Sequence, residues 1–211
     1  MRGLRILAAL VGLALLALPA SANSLAVNAA AAMNGTNYGL QVTFTGATNN
    51  VYVLDNTPDN EPIYRCQFWM DFNTFAAPDS TWWVVARATE ETAIRSAFQV
   101  LALQKWGLYR VWLRALTNGL AERFTTRINL QPGTPSLLQV EFLQSDTPGV
   151  ANGFVRLSVL DGYAAGQSVE VAMNNSNFNV DNFRMGALQA KTTMSGSYYL
   201  DEFASFRTLA P

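Results

Sequence analysis

Apolar and polar residues alternate along most of the chain, and clusters of Gly, Pro, Asn and Asp interrupt the alternation about every ten residues. The segment 64–72 shows the pattern clearly, because Tyr64, Cys66, Phe68 and Met70 share one face at a period of two residues. That period is typical of half-buried β-strands. The pattern therefore predicts about a dozen short strands and no clear helix, which indicates an all-β sandwich.

The predicted strands cover nearly the whole chain from residue 24 onward. The predicted strands are 24–33, 38–45, 51–54, 63–72, 81–88, 95–103, 108–116, 121–129, 137–143, 154–160, 167–173, 179–186 and 196–207. Hairpins are expected at Asn34-Gly35, at Asn118-Gly119 and between Asp161 and Gly166. The segment 90–103 also fits the start of a short helix, and we favour a strand there.

The last two predicted strands, 179–186 and 196–207, are rich in aromatic and β-prone residues that Gly and Ser interrupt. Strands of this kind need earlier strands to cover them. We therefore expect the C-terminal segment to complete the fold.

The first residues predict export. Arg2 and Arg5 precede an apolar run over 6–18, and Ala20-Ser21-Ala22 is a small-residue cleavage pattern. We expect a signal peptide over 1–22 and one β-sandwich domain over 23–211, secreted to the periplasm or the extracellular space. The alternative is an N-terminal membrane anchor, for which the run is short, since a span needs about 20 apolar residues.

The charge balance argues against a nucleic-acid partner, and the cysteine count excludes an internal disulfide. The chain has 14 Lys plus Arg against 15 Asp plus Glu, and only 14% of its residues are charged. Lys105 and Lys191 are its only lysines and lie far apart, so no basic cluster predicts a nucleic-acid partner. Cys66 is the only cysteine, so no internal disulfide can form, and we interpret it as a small buried apolar residue.

Four segments carry a resemblance to a known family: 64–71, 152–162, 183–186 and 196–203. They resemble secreted bacterial proteins with a laminin-G-like, concanavalin A-like jelly-roll domain, in which an Asp-Gly hairpin, an Arg-x-Gly strand and a final aromatic strand with Asp recur. The resemblance implies an antiparallel two-sheet jelly-roll sandwich and export of the protein.

The candidate chemistry argues against an enzyme. Glycan hydrolases need two carboxylates at a defined separation. The adjacent pairs Glu90-Glu91 and Asp201-Glu202 would point to opposite faces of a strand. The chain has no histidine to move a proton or to activate Cys66. A tyrosine-based lyase remains an alternative, as does a hydrolase.

A binding surface has clearer candidates on the polar faces of two predicted strands. The candidate ligand-binding residues are Arg65, Gln67, Trp69 and Asp71 on one strand and Arg110, Trp112 and Arg114 on another. Indole rings stack on sugar rings, and planar polar groups fix hydroxyls. We expect a polysaccharide or cell-surface glycan as partner. The alternative is an ordinary outer face, or a second small core beneath loops.

Calcium is the one cofactor we consider, because it is common in relatives of the family. Asp201 is the candidate ligand, with Asp55, Asp59 or Asp181 and backbone carbonyls. The alternative is that Asp201 accepts hydrogen bonds from a turn. The leading hypothesis is a secreted, non-catalytic glycan-binding module that stays off the membrane after cleavage, and the main alternative is a structural protein that assembles as a homo-oligomer.

Overall fold

Two antiparallel β-sheets packed face to face form the protein in the computed structural model, which describes residues 22–90 and 95–211. The predicted signal peptide lies outside the described residues, except for Ala22. The described residues contain fourteen strands, one short 3-10 helix and no α-helix. In this part of the chain, no helix is long and apolar enough to span a membrane.

The strands follow one another with short connections. In chain order they are β1 (Ser24–Asn28), β2 (Gly39–Thr45), β3 (Val51–Asp55), β4 (Ile63–Asp71), β5 (Trp82–Glu90), β6 (Arg95–Lys105), β7 (Leu108–Leu116), β8 (Glu122–Phe124), β9 (Ile128–Leu130), β10 (Ser136–Leu143), β11 (Gly153–Asp161), β12 (Ser168–Met173), β13 (Asn182–Leu188) and β14 (Ser195–Phe206). The 3-10 helix, Ala29–Ala31, follows β1.

The sheets are built from strands that are distant in sequence. Sheet A has the order β1-β2-β14-β4-β10-β11-β12, and sheet B has the order β3-β13-β5-β6-β7-β8, with β9 also paired to β7. The last two strands lie inside the sheets, since β13 pairs with β3 and β5, and β14 pairs with β2 and β4. The C-terminal segment therefore completes both sheets, as its sequence predicted.

Most strand predictions agree with the structure, and two are wrong in part. The segment 24–33, predicted as one strand, is a strand only to Asn28 and continues as the 3-10 helix. The three predicted hairpins form, and the ambiguous segment from Arg95 is a strand. The segment 121–129, predicted as one strand, is two short strands that both pair with β7. The break lies at Thr125, whose hydroxyl accepts a hydrogen bond from the backbone N–H of Leu113 at 3.0 Å. A side-chain hydroxyl thus takes a position that a ladder carbonyl would hold.

Aromatic side chains from both sheets fill the centre of the sandwich. Phe72, which follows β4, stacks on Tyr109 of β7 with ring centroids 3.9 Å apart. The hydroxyl of Tyr198 on β14 donates a hydrogen bond to the carbonyl of Gly186 on β13 at 2.7 Å. Gly186 must be glycine, because a Cβ there would lie 2.4 Å from the carbonyl oxygen of Val51. The Tyr198–Gly186 hydrogen bond therefore joins sheet A to sheet B, at the point where β13 passes close to β3.

Cys66 is fully buried in the same core and forms no disulfide. Burial raises the pKa of its thiol, with a smaller contribution from Asp55 in the same direction. The thiolate is therefore disfavoured, and the interpretation of Cys66 as a packing residue fits its surroundings.

A β-bulge in β5 sets which side chains reach the outer face of sheet B. The pairing of β5 with β6 shifts between Val84 and Ala86, and Val85 and Ala86 both belong to the core. Without the extra residue, Trp82 and Arg87 would lie on opposite faces, because they are five positions apart. The bulge brings both side chains to the outer face.

We predict that Tyr198→Phe lowers the free energy of unfolding by about 1–3 kcal/mol, because it leaves the Gly186 carbonyl buried without its donor. Urea unfolding followed by tryptophan fluorescence measures the change. Tyr163→Phe is the control, since Tyr163 is exposed in the β11–β12 loop and should lose little. Equal stability of the two variants would show that the Tyr198 bond does not hold the sheets together.

Candidate functional site

The seven sequence-predicted ligand residues do not form one site. Arg65, Gln67, Trp69 and Asp71 lie on β4 in sheet A, whereas Arg110, Trp112 and Arg114 lie on β7 in sheet B. The core-facing residues of each strand alternate with these positions, so both sets face outward from opposite sides of the sandwich.

The half on sheet A is held largely by its own neighbours. Gln67 donates to Gln139 at 2.6 Å, and one oxygen of Asp71 accepts from the backbone N–H groups of Asn73 at 2.8 Å and Gly133 at 3.0 Å. The Arg65 guanidinium stacks on Phe206 at 4.2 Å, and Trp69 is only 8% exposed. These contacts fit the alternative of an ordinary outer face.

Asp201, the predicted calcium ligand, lies on β14 and binds the turn between Met33 and Thr36. Its carboxylate accepts hydrogen bonds from the backbone N–H of Met33 at 2.7 Å, from the hydroxyl of Thr36 and from the backbone N–H of Glu202 at 2.8 Å. Within residues 22–90 and 95–211, no group of three or more His, Cys, Asp or Glu side chains could hold a metal ion. Calcium binding stays a prediction, and the structure shows the hydrogen-bonded turn that was its alternative.

On sheet B, Trp112 belongs to a small second core on the outer face. It is 5% exposed and clusters with Leu101 and Leu103 of β6. The Arg127 guanidinium lies 4.8 Å from its ring centroid. Trp112 therefore fits the alternative of a second small core. Its buried ring supports the outer surface of sheet B and presents little area to a ligand.

An open recess of about 400 Å³ lies beside Trp112 on this face. We call it the aromatic groove; its lining includes Trp82, Trp112, Arg114, Glu122, Phe124 and Arg127. Trp82 is 36% exposed and Phe124 is 50% exposed, so two rings offer their surfaces to solvent. Arg114 is fixed beside them, because it donates to Glu122 at 3.0 Å and to Gln99 at 2.5 Å.

Arginines from three strands continue across the sheet from the aromatic groove. Arg184 pairs in register with Arg87, Arg87 with Gln99, and Gln99 with Arg114. We call these four residues the arginine row. With strands about 4.8 Å apart, the row spans about 14 Å between the Cα atoms of Arg184 and Arg114.

The arginine row is unfavourable for the folded protein by itself. The pKa of Arg87 is lowered, first by burial and then by the charges of Arg114 and Arg184. The Nε atoms of Arg87 and Arg184 are buried and have no hydrogen-bond partner. Like charges directly opposite one another destabilise a sheet. An arrangement that costs stability in this way is typical of a site that serves a function.

A second recess, of about 780 Å³, opens at the other end of the row beside Arg184 and Asn182. Asn182 pairs in register with Thr89, and both side chains are more than nine-tenths buried. Their Oδ1 and Oγ1 atoms have no hydrogen-bond partner. The arginine row thus joins two recesses on one face.

Sequence reasoning missed Trp82, Arg87, Gln99, Phe124 and Arg184. The adjacent pair Trp82-Trp83 carried a signal, because one of two neighbouring strand residues must face away from the core. Arg87 had no such signal, since the bulge in β5 decides its face.

Comparison with known proteins gives structural likeness alone. No family model matches the chain, and no curated protein matches it. The cellulose-induced protein Cip1 superposes with a TM-score of 0.57 and 9% identity, over 89% of this chain and 87% of Cip1. The carbohydrate esterase vb_24B_21 of the Shiga toxin-encoding bacteriophage phi24B gives 0.52 and 12%, over 88% of this chain and 87% of that protein. The chain folds as a jelly-roll β-sandwich. At these identities the likeness shows the fold and nothing further.

We predict that Arg87→Met raises the melting temperature by roughly 2 °C at low salt, because it removes like-charge repulsion and keeps an apolar stem of similar length. Differential scanning calorimetry measures the shift, which should shrink as added salt screens the charges.

Arg156→Met on sheet A is the matched control. Arg156 pairs with Glu141 at 3.1 Å and Glu170 at 2.7 Å, and the Glu141 side chain is 1% exposed. Its loss leaves a buried carboxylate without its cation, so stability should fall. If Arg87→Met destabilises the protein as much as Arg156→Met does, the row is not strained.

Proposed function

We propose that the protein binds a polysaccharide chain on the outer face of sheet B, in the aromatic groove, and does not cleave it. The exposed rings of Trp82 and Phe124, which line one open recess with Arg114, carry this proposal. We further propose that it does so outside the cytoplasm, because residues 1–22 have the pattern of a signal peptide.

The groove offers the two kinds of contact that sugars use. Aromatic faces cover the C–H surface of a pyranose ring, and fixed polar groups bind its hydroxyls. Arg114 lies 5.9 Å from the Trp82 ring centroid, and Lys191 lies 4.7 Å from it on another segment. Because Glu122 and Gln99 already hold Arg114, little side-chain entropy would be lost when a sugar binds.

The names of the two structural relatives are consistent with this proposal, since one is a cellulose-induced protein and the other a carbohydrate esterase. The carboxylate in the aromatic groove supports binding over hydrolysis. Glu122 is the acid among the lining side chains, and Arg114 neutralises it at 3.0 Å. Hydrolysis with two carboxylates would need a second acid and one of them protonated.

The test is binding of wild type and variants to cellohexaose, xylohexaose and hexagalacturonate by isothermal titration calorimetry. We expect at least one of these to bind, and Trp82→Ala and Phe124→Ala each to weaken it by about tenfold, or about 1.4 kcal/mol. Tyr163→Ala is the control, because Tyr163 is 52% exposed but lies at the β11–β12 loop of sheet A.

Chromatography of the same mixtures checks the non-catalytic part of the proposal, and the hexasaccharides should keep their length. Shorter products would replace binding with catalysis. Binding by none of the three probes, or binding that both groove variants leave intact, would remove the groove from the protein's function. Elution of the protein as a large homo-oligomer without any binding would favour the structural alternative.

A further inference from the structure

Charge is divided unequally between the two sheets of this protein, whose formal net charge is only −1. Sheet B carries seven basic residues, Arg87, Arg95, Lys105, Arg110, Arg114, Arg123 and Arg184, and three acids, Asp55, Glu90 and Glu122. Sheet A carries two basic residues, Arg65 and Arg156, and six acids, Asp71, Glu141, Asp161, Glu170, Asp201 and Glu202. The near-neutral total therefore hides a positive face on sheet B and a negative one on sheet A.

The positive face has donors that the fold leaves unused. Arg156 on sheet A is paired with two carboxylates, whereas the Nε atoms of Arg87 and Arg184 have no partner. The Nε atom of Arg65 on sheet A also has no partner, but the Arg65 guanidinium is a single cation stacked on Phe206. Within the arginine row, Arg114 forms an ion pair with Glu122, at the end of the row beside the aromatic groove. Guanidinium groups that lack a carboxylate in the fold are available to carboxylates of a ligand.

We infer that the polysaccharide bound on sheet B is acidic, and that Arg184 and Arg87 bind uronate carboxylates of successive sugar residues, while Arg114, already paired with Glu122 and Gln99, lies beside the chain in the aromatic groove. This inference rests on the proposed function and names the ligand class for the same face. The chain runs across the strands from the aromatic groove to Arg184 and stops short of the recess at Asn182, whose lining includes Asp59 and Asp181. Its anionic groups neutralise the repulsion within the arginine row.

The geometry of the row favours a uronate polymer over other polyanions. Arg184 and Arg87 lie on neighbouring strands about 4.8 Å apart, which is close to the length of one pyranose residue, and Arg114 lies two strands beyond Arg87. A planar guanidinium binds a planar carboxylate through two parallel hydrogen bonds. Single-stranded nucleic acid needs aromatic platforms for successive bases, and the middle of the row offers only Arg87 and Gln99.

The experiment compares hexagalacturonate with its fully methyl-esterified form, which keeps the sugar and removes the charge. We expect wild type to bind the free acid at least about tenfold more tightly than the ester at low salt, with the difference shrinking at high salt. Arg87→Met and Arg184→Met should each lose most of this preference. Arg156→Met, which removes a cation from sheet A, should keep it.

Circular dichroism checks that Arg87→Met and Arg184→Met are both folded. Neither side chain is fully buried, so two independent variants test the same inference without disturbing the core. Equal binding of acid and ester, with Trp82→Ala weakening both, would leave the proposed function intact and overturn the acidic-ligand inference. Binding of neither would overturn both. Equally tight, arginine-dependent binding of dextran sulfate or of oligothymidylate would overturn the assignment to uronates.

Discussion

The mutual burial of two inward faces is the constraint on which the rest of this structure depends. No disulfide holds the described chain, whose free cysteine is itself buried. Aromatic side chains carry the contact between the sheets, with the Phe72 and Tyr109 rings stacked and Tyr198 bonded across to Gly186. Because every second residue of each strand is committed to this core, the residues between them form two outer faces. Function is confined to those faces and to the loops at their ends.

The two outer faces differ in how completely their polar groups are used. On sheet A, Gln67, Asp71 and Arg156 find partners within the fold, and the one arginine with an unpaired Nε, Arg65, has no like charge beside it in register. On sheet B, the arginine row keeps unpaired donors and like charges side by side, which a protein selected for stability alone would avoid. The β5 bulge makes this possible, because it places Arg87 on the face that also presents Trp82. A local irregularity of the ladder thus assembles the candidate site.

Much of the fold follows from alternation in the sequence, and the site does not. The period of two residues predicted the positions of nearly all strands and the completion of the sheets by the last two. It could not assign strands to sheets, so β4 and β7, with similar polar faces around Trp69 and Trp112, looked equivalent although they lie on opposite sides. Alternation also fails at a bulge, where the period slips by one, and this hid Arg87. Phe124 was hidden because the predicted strand 121–129 breaks at Thr125.

Binding of the ligand to the positive face of sheet B, with sheet A left free, is the central proposal. The most direct measurement is an NMR titration that follows the Nε–Hε resonances of assigned arginines while hexagalacturonate is added. We expect shifts for Arg87, Arg114 and Arg184, with Arg65 and Arg156 unchanged. Shifts confined to Arg65 and Arg156 would place the ligand on sheet A and contradict the central proposal.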